Sequence, residues 1–200
     1  MARQHTVRIS SANEEARALA TITMAFVGDP IVRWFISDPT SYITYWPAFV
    51  RAFGGRAMDT GSADVADDFA GVALWLPPGV GPDEEVMGAV AAEAIPSSEH
   101  DEKFGLMEQM DEFHPAEPHW YLPLIGVDHP HIGRGLGSAL LQHATARADL
   151  DAAPCYLEAT SPLNKRLYER HGFEQIGVIQ SGDSPPMWPT VRQPRFPGGR

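Results

Sequence analysis

HIGRGLGSALL, residues 131–141, decides how this chain is read. Gly133, Gly135 and Gly137 alternate with larger residues and lead directly into an apolar, helix-like run. Glycine weakens a helix unless the backbone needs a conformation or an approach that other residues forbid. The first turn of a helix carries unpaired N–H groups and a partial positive charge. Bare backbone before such a turn lets an anion, most often a phosphate, reach those donors. Arg134 adds a charge inside the loop. Two known phosphate loops do not fit. A P-loop needs Lys before a Ser or Thr after its last glycine, whereas Gly137 is followed by Ser138 and Ala139. The dinucleotide fingerprint needs a third glycine where this chain has Ser138 or Leu140. The spacing alone gives an anion site, or a glycine-rich turn without a ligand.

Outward from the loop, 119–127 reads as a strand and 135–150 as a helix. A strand follows at 154–160. Ser161 and Pro162 then open a short helix that ends at Gly172. Two closing strands are expected near 173–179 and 187–192, with Pro189 confining the last to an edge or cutting it short. Toward the N-terminus, Ser11 to Glu14 is a capping box that opens a helix to about residue 26. A short helix is expected at 31–36. A longer one, carrying Tyr42, Tyr45, Trp46, Phe49 and Phe53, runs from Asp38-Pro39 to Gly54-Gly55. Strands at 63–66 and 70–76 form a hairpin. The segment 82–114 reads as a helical insert in two pieces, broken near Pro96. This alternation is an α/β (α+β) pattern with a parallel element around the glycine loop.

Two blocks together resemble the Gcn5-related N-acetyltransferases, the GNAT superfamily. The first is LIGVDHPHIGRGLGSALL. The second is Asn164, Tyr168, Glu169, Gly172 and Phe173 in the order Asn-x-x-x-Tyr-Glu-x-x-Gly-Phe. The likeness is firm over 118–180, and the N-terminal pattern is similar to the subgroup of puromycin N-acetyltransferase. It implies a mixed, mostly antiparallel sheet with a splayed parallel strand pair. It also implies one domain over 1–194 with the helical insert; the Pro/Gly-rich composition of 195–200 reads as a flexible tail. The glycine loop would then hold the pyrophosphate of acetyl-CoA, the expected cosubstrate. Ile132, Gly133, Arg134, Gly135, Leu136, Gly137 and Ser138 would form it. Ile125, Gly126 and Val127 would offer backbone groups to the pantetheine arm, and Asn164 a further contact. Ile132 departs from the family pattern, which has Gln or Arg there.

Composition narrows the partners. With 15 Lys+Arg against 26 Asp+Glu the formal net charge is −11, which argues against nucleic-acid or anionic-membrane binding. The single cysteine, Cys155, fits a reducing compartment, and no secretory or membrane-spanning segment is visible. A cytoplasmic protein, monomer or homodimer, is expected.

Acetyl transfer to an amine needs a base for the amine proton, a donor to the carbonyl oxygen and an acid for the leaving thiolate. Tyr168, placed by the resemblance near the thioester sulfur, is the candidate acid. Glu158 and His119 are candidate bases, and a structural carboxylate is the competing reading of Glu158. Phe26, Asp29, Arg33, Trp34, Met110 and Trp188 are candidate acceptor-site residues, suited to a cationic, partly apolar amine, although an aromatic helix stripe is also a core pattern. No metal is expected: His129 and His131 lack a completing cluster. The expected activity is direct acetyl transfer from acetyl-CoA to a primary amine of a small molecule. A CoA-binding module without catalysis, or transfer of a longer acyl group, is the alternative.

Overall fold

The computed structural model describes residues 5–195. The chain opens with β1 (Val7–Ile9) and a 3-10 turn (Ala12–Glu14) that leads into α1 (Glu15–Ala25). The capping box forms as read, with the Ser11 N–H donating to the Glu14 carboxylate at 2.9 Å. Asp29 caps α2 (Pro30–Phe35) and Asp38 caps α3 (Pro39–Gly54), each followed by proline at the first helical position. After α4 (Arg56–Asp59) come the hairpin strands β2 (Ala63–Ala66) and β3 (Gly71–Leu76). The insert is two helices, α5 (Glu84–Ala94) and α6 (His100–Phe113), parted at Pro96. Then follow β4 (Trp120–Val127), α7 (Leu136–Leu150), β5 (Cys155–Ala159), α8 (Pro162–Arg170), β6 (Glu174–Gln175) and β7 (Trp188–Arg192). Neither β1 nor α4 is visible as a pattern, because three or four residues are too few to show a period.

The strands form one sheet in the order β1-β2-β3-β4-β5-β7-β6. All neighbours are antiparallel except β4 and β5. One face, carrying Val65, Val72, Leu74 and Tyr121, packs under α1 and α3. The other, carrying Ala73, Trp75, Leu122 and Leu157, packs under α7 and α8. Asp64 is fully buried on the second face and ties α7 to the hairpin through Arg147 at 2.7 and 2.9 Å.

Strand β4 breaks its own alternation. Leu74 pairs with Leu124 and Leu76 with Tyr121, so two steps on β3 match three on β4. The extra residue is a bulge at Leu122-Pro123, where proline has no N–H to give to the ladder. Tyr121 and Leu124 consequently face the same side.

Pro189 does not make β7 an edge strand. The Ile176 N–H donates to the Pro189 carbonyl at 2.9 Å, and proline has no N–H to return. The ladder with β6 therefore ends after Gln175, and only an isolated bridge, Ile179 to Met187, follows. The ladder with β5 uses the alternate residues of β7 and runs intact past Pro189. Of the tail, only Arg195 is described, and its N–H donates to Asp149 at 2.7 Å; the expectation for 196–200 lies outside the described residues. Among the described residues, no helix is long and apolar enough to cross a membrane.

Candidate active site

The two strands around the glycine loop share only a short ladder. Trp120 pairs with Cys155 and Tyr121 with Tyr156, and the pairing stops there. Strand β4 continues to Val127 held by β3 alone, so its β5-facing edge opens from the bulge onward. The loop lies beyond the open end. Gly133 and Gly135 adopt φ of 78° and 93°, the left-handed region that favours glycine. Gly135 is the N-cap of α7, and the first helical bond runs from Ala139 N–H to Gly135 carbonyl at 3.0 Å. The N–H groups of Leu136, Gly137 and Ser138 precede that ladder, as the first-turn donors of any helix do, and this is the arrangement that suits an anion. A side chain at Gly133 would meet open space. Other parts of the motif serve packing. A Cβ on Gly126 would come within 2.6 Å of Ala25, so this glycine lets α1 lie on β4. Leu136 is core, and Gly137 sits against Leu167. Ser138 Oγ is 2.7 Å from His171 Nε2. Ile132 is 55% exposed and its N–H reaches the His129 carbonyl at 3.3 Å.

At the mouth of the splay a short network joins three elements. Asn164 Nδ2 donates to Thr160 Oγ1 at 3.0 Å, and Thr160 donates to Asp29 Oδ2 at 2.5 Å. The other Asp29 oxygen caps α2 through the Ile31 and Val32 N–H groups. Asn164 Oδ1 accepts from the Ser161 N–H, completing the cap of α8. Tyr168, on the same helix, is buried. Burial, then the carboxylates of Asp29 and Glu158, push its hydroxyl above the ordinary phenol range, so it stays protonated at neutral pH.

On the other face a largely apolar cavity, about 800 Å³ including its mouth, opens beside the parted strands. Its strand wall is Pro123 and Leu124 of β4 with Glu158 and Thr160 of β5. Trp46, Phe49 and Phe53 of α3 form another wall, so part of the aromatic stripe faces the cavity rather than closing the core. The insert supplies Met87, Val90 and Ala94 from α5 and Met107 and Met110 from α6.

Glu158 is the one charged group in that lining. Tyr121 donates to its Oε2 at 3.1 Å. Its Oε1 and the Tyr156 hydroxyl are buried and make no hydrogen bond of normal geometry among the described residues. Burial pushes the carboxyl up to about 7, against the lowering effect of the two tyrosines. Glu158 therefore exchanges a proton in the neutral range, as a general base must. Behind Tyr121 and Tyr156, His114 Nε2 lies 2.9 Å from His119 Nε2, and His119 Nδ1 donates to the Glu117 carbonyl. Burial, then His119, lowers His114 to about 4. This pair borders a second, more polar pocket with Gly79 and Gly81. Burial pushes the Cys155 thiol up to about 12, which removes it as a nucleophile.

Residues 83–175 match the family profile described as acetyltransferase (GNAT) domain. That stretch, from the cap of α5 to β6, is therefore similar to a GNAT acetyltransferase domain. A Schizosaccharomyces pombe protein, an uncharacterized N-acetyltransferase, is 23% identical over 216 residues, covering 92% of this chain and 81% of that protein. A Corynebacterium glutamicum crystal structure, histone acetyltransferase HPA2 and related acetyltransferase, is 28% identical with a TM-score of 0.70, covering 98% of this chain and all of that one. The Escherichia coli ribosomal-protein-S18-alanine N-acetyltransferase shares the fold at 14% identity and a TM-score of 0.53, covering 98% of each chain.

Within this fold the expected residues separate. Phe26 and Met110 line the cavity. Asp29 is spent on the α2 cap and Thr160. Arg33 lies over Tyr42 and donates to the Ser37 carbonyl, outside the cavity lining. Trp34 is also outside it, bonded to Asp183 at 2.7 Å. Trp188 pairs with Ala159 and packs on the α7 side, the opposite face of the sheet. His119 borders the second pocket, not the cavity. Ile125 and Val127 pack toward α7, leaving their backbone at the open edge. Sequence reading missed Tyr121, Tyr156 and Thr160. Alternation gave a signal for two of them, since Tyr156, Glu158 and Thr160 share a strand face.

Proposed function

We propose that this protein transfers an acetyl group from acetyl-CoA to a primary amine on a small molecule with an apolar body, directly and without an acyl-enzyme. One observation carries the reading. The strand opening that adjoins the glycine loop also forms a wall of the apolar cavity, and Glu158 stands in that wall. Donor and acceptor would meet at the gap between β4 and β5.

The chain's features fit acetyl-CoA. Gly133 and Gly135 leave a bare cradle at the start of α7, and Arg134 is exposed beside it. The free edge of β4 past Tyr121 offers backbone N–H and C=O groups to the amides of the pantetheine arm. Acetyl-CoA supplies the activated acyl group. The chain supplies the rest. Glu158 takes the proton of the bound ammonium and leaves a neutral amine. The Met and aromatic lining holds the apolar body and excludes water. A β4 N–H beyond the bulge donates to the carbonyl oxygen. Tyr168, kept protonated by its surroundings, gives a proton to the departing sulfur as the C–S bond breaks, and the second proton lost from the acylated nitrogen restores the phenol.

Thermal unfolding with acetyl-CoA, CoA and NAD tests the first half. Ligand at about 100 times its Kd adds roughly 2.7 kcal/mol, so a rise with both CoA forms and none with NAD is expected. A thiol-release assay over arylalkyl, alkyl and polyamine acceptors tests the second half. Turnover confined to amines without an apolar body would refute the assignment of the cavity.

A further inference from the structure

His5 stands between two unusual backbones. On one side is the turn joining β2 and β3, where Asp67, Asp68 and Phe69 take φ of 44°, 56° and 70° in succession. On the other is the glycine loop. The His5 side chain is only 7% exposed. Its Nδ1 is 2.7 Å from Asp67 Oδ2, and its Nε2 is 2.7 Å from the Arg134 carbonyl oxygen. A Cβ added at Gly135 would lie 3.6 Å from the same Nε2, so the ring rests on the cap of α7.

A carbonyl oxygen and an ionised carboxylate only accept hydrogen bonds. The Thr6 N–H donates to the other Asp67 oxygen at 2.9 Å, which favours the ionised form. Neutral imidazole has one N–H and would aim a lone pair at one of two acceptors 2.7 Å away. Both contacts are satisfied only when both ring nitrogens carry hydrogen.

We propose that His5 is an imidazolium that clamps the glycine loop to the hairpin turn and places a positive charge beside the cofactor's diphosphate. This rests on the reading of the loop as the acetyl-CoA site. Among the described residues, His5 is bonded to the Asp67 carboxylate of the turn and to the Arg134 carbonyl of the loop, and it lies against the positive end of α7. Asp68, next in the turn, is paired with Arg17 at 3.0 Å. In a chain of net charge −11, such a local cation offsets the general repulsion of an anionic ligand. The sign follows. Cofactor affinity is complete while His5 is protonated. It falls as pH rises through the imidazole titration, when one of the two bonds must open and the charge is lost.

Two measurements decide it. Long-range proton–nitrogen spectra of the histidine-labelled protein, with His5 assigned through His5→Gln, should show both ring nitrogens protonated at pH 7. A neutral tautomer there would overturn the proposal. Calorimetry of CoA binding should show His5→Gln weaker than the native protein by roughly tenfold at pH 6. The gap should close toward pH 9, and comparison of the two proteins cancels the titration of the CoA phosphates. Pantetheine, which lacks the diphosphate, should bind both alike. An equal loss at every pH, or an equal loss for pantetheine, would mean that His5 only supports the fold. No CoA binding by the native protein would overturn the loop assignment itself and this role with it.

Discussion

On the proposed function, the two sides of the parted strands would recognise their ligands by different means. The cofactor side is built from backbone: two glycines in left-handed conformation, the first turn of α7 and the free edge of β4. The acceptor side is built from side chains: an apolar lining drawn from helices α2, α3, α5 and α6, with one carboxylate. Backbone recognition suits a ligand that does not vary. Side-chain recognition can be altered residue by residue without disturbing the sheet. The difference predicts that substitutions on the two sides will affect different constants.

Glu158→Gln should produce the largest effect, a fall in kcat of about 10²- to 10⁴-fold, the range of a lost general base. In the native protein kcat/KM should rise with pH through about 7, as the carboxyl loses its proton; steady-state rates from pH 5 to 9 show whether the variant loses that limb. The same shift, upward from 4.5, means that protonated Glu158 stabilises the fold. That contribution is complete below about 4.5 and is lost as pH rises through about 7, so the unfolding midpoint should decline across this window and flatten in Glu158→Gln. A base elsewhere would leave the rate profile unchanged in Glu158→Gln, while the unfolding profile would still flatten.

Tyr168→Phe should lower kcat by about 10- to 100-fold with little change in Kd for CoA, since a proton donor acts mainly on the departing sulfur. Equal loss in Kd would make Tyr168 a packing residue of α8. Gly135→Ala should weaken CoA about tenfold, because a Cβ in the left-handed region costs roughly 1–2 kcal/mol and shifts the cap that orients the loop. Its KM for the amine should change far less. Smallest is Val90→Phe, which fills the cavity from α5 and should raise the amine KM severalfold while Kd for CoA holds. A change of similar size in both constants would erase the distinction between the sides.

The same difference explains what could be read in advance. Backbone sites leave local marks. Gly133 and Gly135, the proline after Ser161 and the break at Pro123 each state a conformation where they stand, so the loop, α8 and the bulge were legible. The acceptor cavity left no such mark. Trp46 and Phe49 follow the spacing of a core helix, and only the fold decides that they face a cavity. Arg33 and Trp34 looked suitable by type, yet the turn of α2 directs them toward Tyr42 and Asp183. Trp188 was misplaced by one step of strand parity, which sends it to the opposite face of the sheet. The tyrosine shell of Glu158 depends on a parallel pairing between strands more than thirty residues apart, and a single sequence does not state that register.

Pro189 bears on how the molecule behaves in company. Because it returns no hydrogen bond to Ile176, the strand beyond it is two residues long, and the opposite rim of the sheet, β1, has three. Neither rim presents a row of open peptide groups long enough to template another chain. One missing amide hydrogen thus guards against edge-to-edge aggregation in a protein that keeps an opened strand in its interior.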